Sequence, residues 1–148
     1  MDNKKIRNAT SKEVEGIKFK SKLEADTYRL LKEAGFHPQY EERKFLLCEG
    51  FKPTVPFYTK DKVTRGLKLD NDKVRDMTYT PDFTFKSGGF TVVVEAKGYE
   101  NDRFPLKKKL FRKLLESEGH ENFIYFEIFS QRQCKEMITI LKQRYEFI

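Results

Sequence analysis

Asp82 stands in the run Thr80-Pro81-Asp82, and Glu95 and Lys97 flank Ala96 on a second run that begins at Phe90. An acid on one extended segment, then an acid and an amine two residues apart on the next, can hold a divalent metal and neutralise charge on a phosphate. Between the two lies Lys86-Ser87-Gly88-Gly89, a turn signal joining two runs rich in β-formers, Met77 to Phe85 and Phe90 to Glu95. A hairpin closed by a two- or four-residue loop is expected to set Phe85 opposite Phe90 and Asp82 opposite Val93. Side chains alternate along a strand, so Val93, Glu95 and Lys97 share a face. Asp82 then lies diagonally across from Glu95, about 7–8 Å away at the Cα level. A three-residue loop without a compensating bulge would instead turn Asp82 to the opposite face.

The elements that must position these groups are legible as caps and periodicities. Ser21-Lys22-Leu23-Glu24 has the form of a capping box, opening a helix to Ala34 with Gly35 as its stop. Its apolar stripe is Leu23, Thr27, Leu30, Leu31 and Ala34. Gln39 to Leu47 reads as a strand, followed by a weaker apolar stretch around Val55 to Tyr58. The charged segment from Lys60 to Arg75, with Gly66 and Asp70-Asn71 inside it, reads as a loop or a projecting hairpin arm. Beyond the Met77–Lys97 hairpin, Asn101 or Asp102 caps a helix from Arg103 to about Ser117, with Gly119 ending it. Asn122 to Phe129 is expected to be a strand buried on both faces. Ser130 and Gln133 repeat the capping-box spacing and start a last helix through Tyr145, with Met137, Ile138, Leu141 and Tyr145 as its stripe. The order predicts an α/β fold: a central mixed β-sheet flanked by helices.

The 148 residues suffice for one domain, here 16–148, with Met1 to about Glu15 expected as a loose, flexible basic arm. Fourteen Phe and seven Tyr supply much of the core, and the formal charge of +7 favours an anionic partner. No apolar run is long enough for a membrane span or signal peptide. Cys48 and Cys134 have no neighbours at zinc spacing and make no disulfide framework, which fits a reduced, cytoplasmic setting. His37 and His120 stand alone, so no His-based nucleophile or zinc site is indicated.

Taken together, Pro81-Asp82 and Glu95-Ala96-Lys97 resemble the signature of the PD-(D/E)XK nuclease superfamily. The closer similarity is to phage and prophage proteins related to phage endonuclease I, the four-way-junction (Holliday junction) resolvase. It rests on Gly16-Ile17-Lys18-Phe19-Lys20-Ser21-Lys22-Leu23-Glu24, Tyr79-Thr80-Pro81-Asp82-Phe83 and Val94-Glu95-Ala96-Lys97-Gly98. Leu106-Lys107-Lys108-Lys109-Leu110-Phe111 resembles the helix that follows in prophage members. The similarity runs from about Gly16 to Leu115 and implies a restriction-endonuclease-like core in a bacterial or phage-infected cell.

The resemblance implies a Mg²⁺-dependent endodeoxyribonuclease, with Mn²⁺ able to substitute. Asp82 and Glu95 would be metal ligands, joined by the carbonyl of Ala96. Lys97 would polarise the attacking water or contact the scissile phosphate; its bland alternative is a salt bridge to either acid. Glu24 has two readings, the reaching partner of the Ser21 cap and, through the resemblance, a further catalytic and metal-site carboxylate. Arg103, Lys107, Lys108, Lys109, Arg112 and Lys113 put a run of cations on one helix, either a solvated face or a track for DNA phosphates. Glu41 has two readings, a solvated edge-strand acid, which is favoured, and an assisting metal ligand. Cutting two strands calls for two active sites, hence a homodimer. The rival readings are a DNA-binding module on a nuclease scaffold without useful catalysis, and a sequence-specific restriction-type enzyme.

Overall fold

The computed structural model describes residues 12–98 and 104–145. The expected caps at Asn101 and Asp102, the cation Arg103 and most of the expected basic arm lie outside these residues. From Lys12 onward that arm is a hairpin, β1 (Lys12–Val14) antiparallel to β2 (Ile17–Phe19). Glu15 at its turn accepts a hydrogen bond from the Tyr28 hydroxyl, which holds the hairpin against the first helix.

That helix, α1 (Lys22–Glu33), starts where Ser21 Oγ accepts from the Glu24 N–H at 3.1 Å. Gly35 ends it at φ 97°, a left-handed conformation that costs a residue without Cβ little, and the Phe36 N–H closes on the Leu31 carbonyl. The main sheet has four strands in the order β10-β9-β8-β3: β10 (Asn122–Ile128), β9 (Phe90–Ala96), β8 (Phe83–Ser87) and β3 (Gln39–Tyr40). β10 runs parallel to β9, and the other two pairings are antiparallel, so the sheet is mixed. Helix α2 (Phe104–Ser117) makes the crossover from β9 to β10; α3 (Gln131–Ile140) follows β10 and continues as a π-helical turn over Leu141–Tyr145.

Alternation along β9 divides the core in two. Val92, Val94 and Ala96 face α1 and α3, in a cluster with Phe19, Leu31, Phe83, Phe85, Ile128 and Met137. Val93 faces the other way, toward Phe104 and Phe111 of α2 and toward Phe45 and Tyr79. Helices therefore cover both faces of the sheet. Each fully buried Phe or Val in these layers contributes about 1.5–3 kcal/mol of transfer free energy. Phe111, wholly buried, meets Phe45, Tyr79 and Tyr125 edge-on at 4.8–5.0 Å, an arrangement favoured by the ring quadrupoles.

Several expectations are corrected. Met77 to Phe85 is not one strand: β7 (Met77–Tyr79) leaves the sheet and pairs with β4 (Phe45–Cys48), and Thr80-Pro81-Asp82 forms the break. Pro81 has no N–H to give a ladder, which is why the chain changes partner there. Gln39 to Leu47 is likewise two strands, interrupted at Glu41, which takes φ 48°. Asn122–Ile128 is half-buried for most of its length because it is an edge strand of its sheet. Between Lys60 and Arg75 the expected hairpin arm is present, β5 (Tyr58–Lys60) paired with β6 (Leu67–Leu69).

Candidate active site

The β8–β9 hairpin closes with Gly88 and Gly89 between the paired residues Ser87 and Phe90, and Gly88 takes φ 59°, the positive value a two-residue loop needs at its first central position. Phe85 therefore faces Val92, and Phe83 faces Val94. This register differs by two residues from the expected pairing of Phe85 with Phe90. Continued one step beyond the Phe83–Val94 pair, this register sets Asp82 against Glu95 rather than Val93. A shift of two keeps the parity, so they remain on one face.

Asp82 is fixed by both its backbone and its side chain. Its carbonyl accepts the Glu41 N–H at 2.8 Å, and its Oδ2 accepts the Ala96 N–H at 2.7 Å. Glu95 Oε1 accepts from the Tyr79 hydroxyl at 2.5 Å, and Lys97 Nζ stands 3.4 Å from Glu95 Oε2. The Tyr79 oxygen is also 3.2 Å from that of Tyr125 on β10. Lys97 packs its ammonium over the Phe104 ring at 5.1 Å, at the start of α2. Phe104, Tyr79, Glu95 and Lys97 line one cleft of about 390 Å³ with Thr78, Thr80 and Lys107. A larger cavity of about 620 Å³ lies at the opposite end of β9, beside Phe90 and the last turn of α2. Glu121 on its wall is already consumed by Arg43 and Thr91, so the chemistry belongs to the smaller cleft.

Electrostatics set this face apart. Asp82 and Glu95 are 7 % and 5 % exposed. Burial, then the charges of Glu95 and Glu24, push the Asp82 carboxyl up to about 8, against the pull of the Ala96 N–H and Lys97. Burial also raises Glu95, while the Tyr79 hydroxyl and Lys97 hold it down. Burial and the neighbouring Glu95 raise the Tyr79 phenol, which keeps it a donor. Two buried acids that resist ionising together supply oxygen donors whose charge a small hard cation would relieve. The residues thus fit a divalent metal held by Asp82 and Glu95, with water completing the shell.

Glu24 is placed close enough that its charge raises both acids. Its Oε1, however, accepts from the Lys20 N–H at 2.9 Å and from the Tyr40 hydroxyl at 2.7 Å. The capping role is therefore present, with the side chain reaching one residue beyond Ser21. Among the described residues no three His, Cys, Asp or Glu side chains stand together as a metal-ligand group. Glu24 stands beside the Asp82–Glu95 pair, with its Oε1 held by the Lys20 N–H and the Tyr40 hydroxyl. Glu41 pairs with Lys20 at 2.9 Å.

The cations of α2 divide by direction. Lys107 reaches the Glu95–Lys97 cleft. Lys108 sits over Phe104 and pairs with Glu127 at 3.1 Å. Lys109, Arg112 and Lys113 are exposed along the outer side of the helix. Tyr79 and Tyr125 were not singled out as functional side chains by sequence reasoning. For Tyr79 the signal was its place beside the acid motif; Tyr125 comes from a strand whose partner is far away in sequence.

Fold and site define a mixed α/β protein with a buried acid pair and a lysine at the open end of its central strands. The chain belongs to a family described as a protein of unknown function (DUF1064), whose match spans residues 4–135. No curated protein and no solved structure matches it.

Proposed function

We propose that this protein is a metal-dependent endodeoxyribonuclease with a restriction-endonuclease-like core. The observation that carries the reading is the buried pair Asp82 and Glu95, Asp82 lying one residue before β8 and accepting the Ala96 N–H of β9 at 2.7 Å, with Lys97 3.4 Å from Glu95 at the cleft. The order helix, three strands, helix, strand around a mixed sheet supports it, as does the ordered set of motifs from Glu24 to Lys97. A bound Mg²⁺ would supply Lewis-acid polarisation of the phosphate and of a water. Asp82 and Glu95 would hold it, the Ala96 N–H orienting Asp82 and the Tyr79 hydroxyl orienting Glu95. Lys97 stands where it can neutralise charge building on the phosphate or take up position against the attacking water. Lys107 at the same cleft, and Lys109, Arg112 and Lys113 beyond it, offer a path of positive charge for the DNA backbone. Branched DNA is the favoured substrate through the resemblance to junction-resolving proteins.

Incubation with Mg²⁺ and supercoiled plasmid or a four-way junction tests this. The expected result is nicking that falls at least ~10³-fold in Asp82→Ala, the scale on which loss of transition-state charge stabilisation is felt. DNA that is shifted in a gel but left uncut in both Mg²⁺ and Mn²⁺ would replace the nuclease with a DNA-binding module.

A further inference from the structure

The projecting arm between β4 and β7 breaks the rule that large apolar groups go inside. Its β5–β6 ribbon pairs Tyr58 with Leu69 and Lys60 with Leu67, so these four side chains share one face and Thr59 and Lys68 the other. Tyr58, Leu67 and Leu69 are all exposed, Leu67 at 78 %. Val63 at the tip is 86 % exposed, and Phe51, Val55, Phe57 and Val74 at the base are also uncovered. A two-stranded ribbon with a bare apolar face is at best marginally stable in water; it needs a further layer. Summed over these residues at ordinary side-chain areas, the uncovered surface comes to roughly 900 Å², close to the share of one partner in a standard interface.

The charges on the arm say what that layer is. The tip carries Lys60, Lys62, Arg65 and Lys68 against a single acid, Asp61, which is already bound by Thr64 and faces Lys68. The base holds a groove of about 420 Å³ lined by Phe51, Val55, Phe57 and Val74, with Asp70 and Asp72 against one ammonium, Lys73. A cationic apolar tip and an acidic apolar groove on one arm complement each other only when a second arm lies antiparallel on the first. We propose that the arm is a homodimerisation element: two copies stack their ribbon faces about a two-fold axis, and each tip enters the other's groove. Such an isologous contact is made twice, which doubles the effect of each complementary pair. The proposal is independent of the nuclease reading, since it concerns mass and not catalysis.

Light scattering on the full chain tests it. The 17.6 kDa chain is expected to run as a species of about twice that mass at micromolar concentration. Val63→Asp with Leu67→Asp, both at exposed sites, should give a folded monomer whose melting temperature no longer depends on protein concentration. A charge-swapped pair gives the sharper readout. Lys62→Glu with Arg65→Glu, and separately Asp70→Lys with Asp72→Lys, should each associate at least ~10-fold more weakly alone, yet form a mixed dimer when combined. A wild-type protein that stays monomeric, or a dimer indifferent to the tip substitutions, overturns the proposal. So does a mixture of the two swapped chains that remains monomeric.

Discussion

At the residue scale, Tyr79 gives the site much of its definition. It lies in the last position of β7 with its ring edge-on to Phe111, and its hydroxyl donates to the carboxylate that Lys97 also approaches. That hydrogen bond lowers the pKa of Glu95, so removing it should leave the acid protonated to a higher pH. Tyr79→Phe is expected to cut nicking about tenfold at neutral pH and to recover much of that loss as the pH is raised. A pH–rate profile checks this: the acid limb moves upward if Tyr79 positions and tunes Glu95. A uniform drop at every pH would mean that the tyrosine only packs.

At the scale of elements, the stretch from Glu41 to Lys44 that breaks β3 from β4 is held by the ion pairs Lys20–Glu41 and Arg43–Glu121. Arg43 donates two hydrogen bonds of 3.0 Å to Glu121 while lying on the rings of Phe45 and Phe123. With the Thr91 hydroxyl, this holds the Glu121 carboxyl down to about 2. A carboxylate lowered in the fold stabilises above its ordinary pKa and loses that contribution as pH falls toward 2. Arg43→Ala should cost about 1–2 kcal/mol at pH 7, a figure kept small because the guanidinium is 41 % exposed, and the cost should shrink in acid. Urea unfolding of both proteins at pH 7 and at about pH 3 measures it; an unchanged midpoint at pH 7 would show the pair to be idle.

The same elements show what could be read in advance. Ser21 and Ser130 were legible because a cap is local: hydroxyl and N–H lie three residues apart, as both helices confirm. The reach of Glu24 and Gln133 past the cap, to the N–H of Lys20 and of Phe129, depends on the entering chain and was not legible. The β8–β9 parity survived a two-residue error in register because side-chain direction repeats every second residue. The pairing of β7 with β4 joins segments some thirty residues apart, and no short-range signal announces it. For that reason the placement of Tyr79 over Glu95, unlike the pairing of Asp82 with Glu95, came only from the fold.

At the scale of the whole molecule, the sheet is a divide between structure and chemistry. Its α1/α3 face is a continuous apolar layer, whereas its α2 face gives way from Val93 to Glu95 and Lys97 at the ends of the strands. Lys107 of α2 lines the cleft at that end, and the projecting arm lies between β4 and β7, the pair that delivers Tyr79. No helix among the described residues is long and apolar enough to cross a membrane. The fold thus concentrates buried negative charge in one place within a positively charged molecule. Protons hold that charge in check when nothing else does. A cation must displace them, so its affinity should rise with pH up to the region where Asp82 ionises, about 8.

The most direct measurement is a calorimetric titration of Mn²⁺ into the protein at about pH 6 and about pH 8.5, in buffers of different ionisation enthalpy, with Asp82→Asn and Glu95→Gln alongside. The account predicts saturable binding with proton release, at least ~10-fold tighter at the higher pH, and lost in both variants. Binding that ignores pH and survives either substitution, or no binding at all, would contradict it.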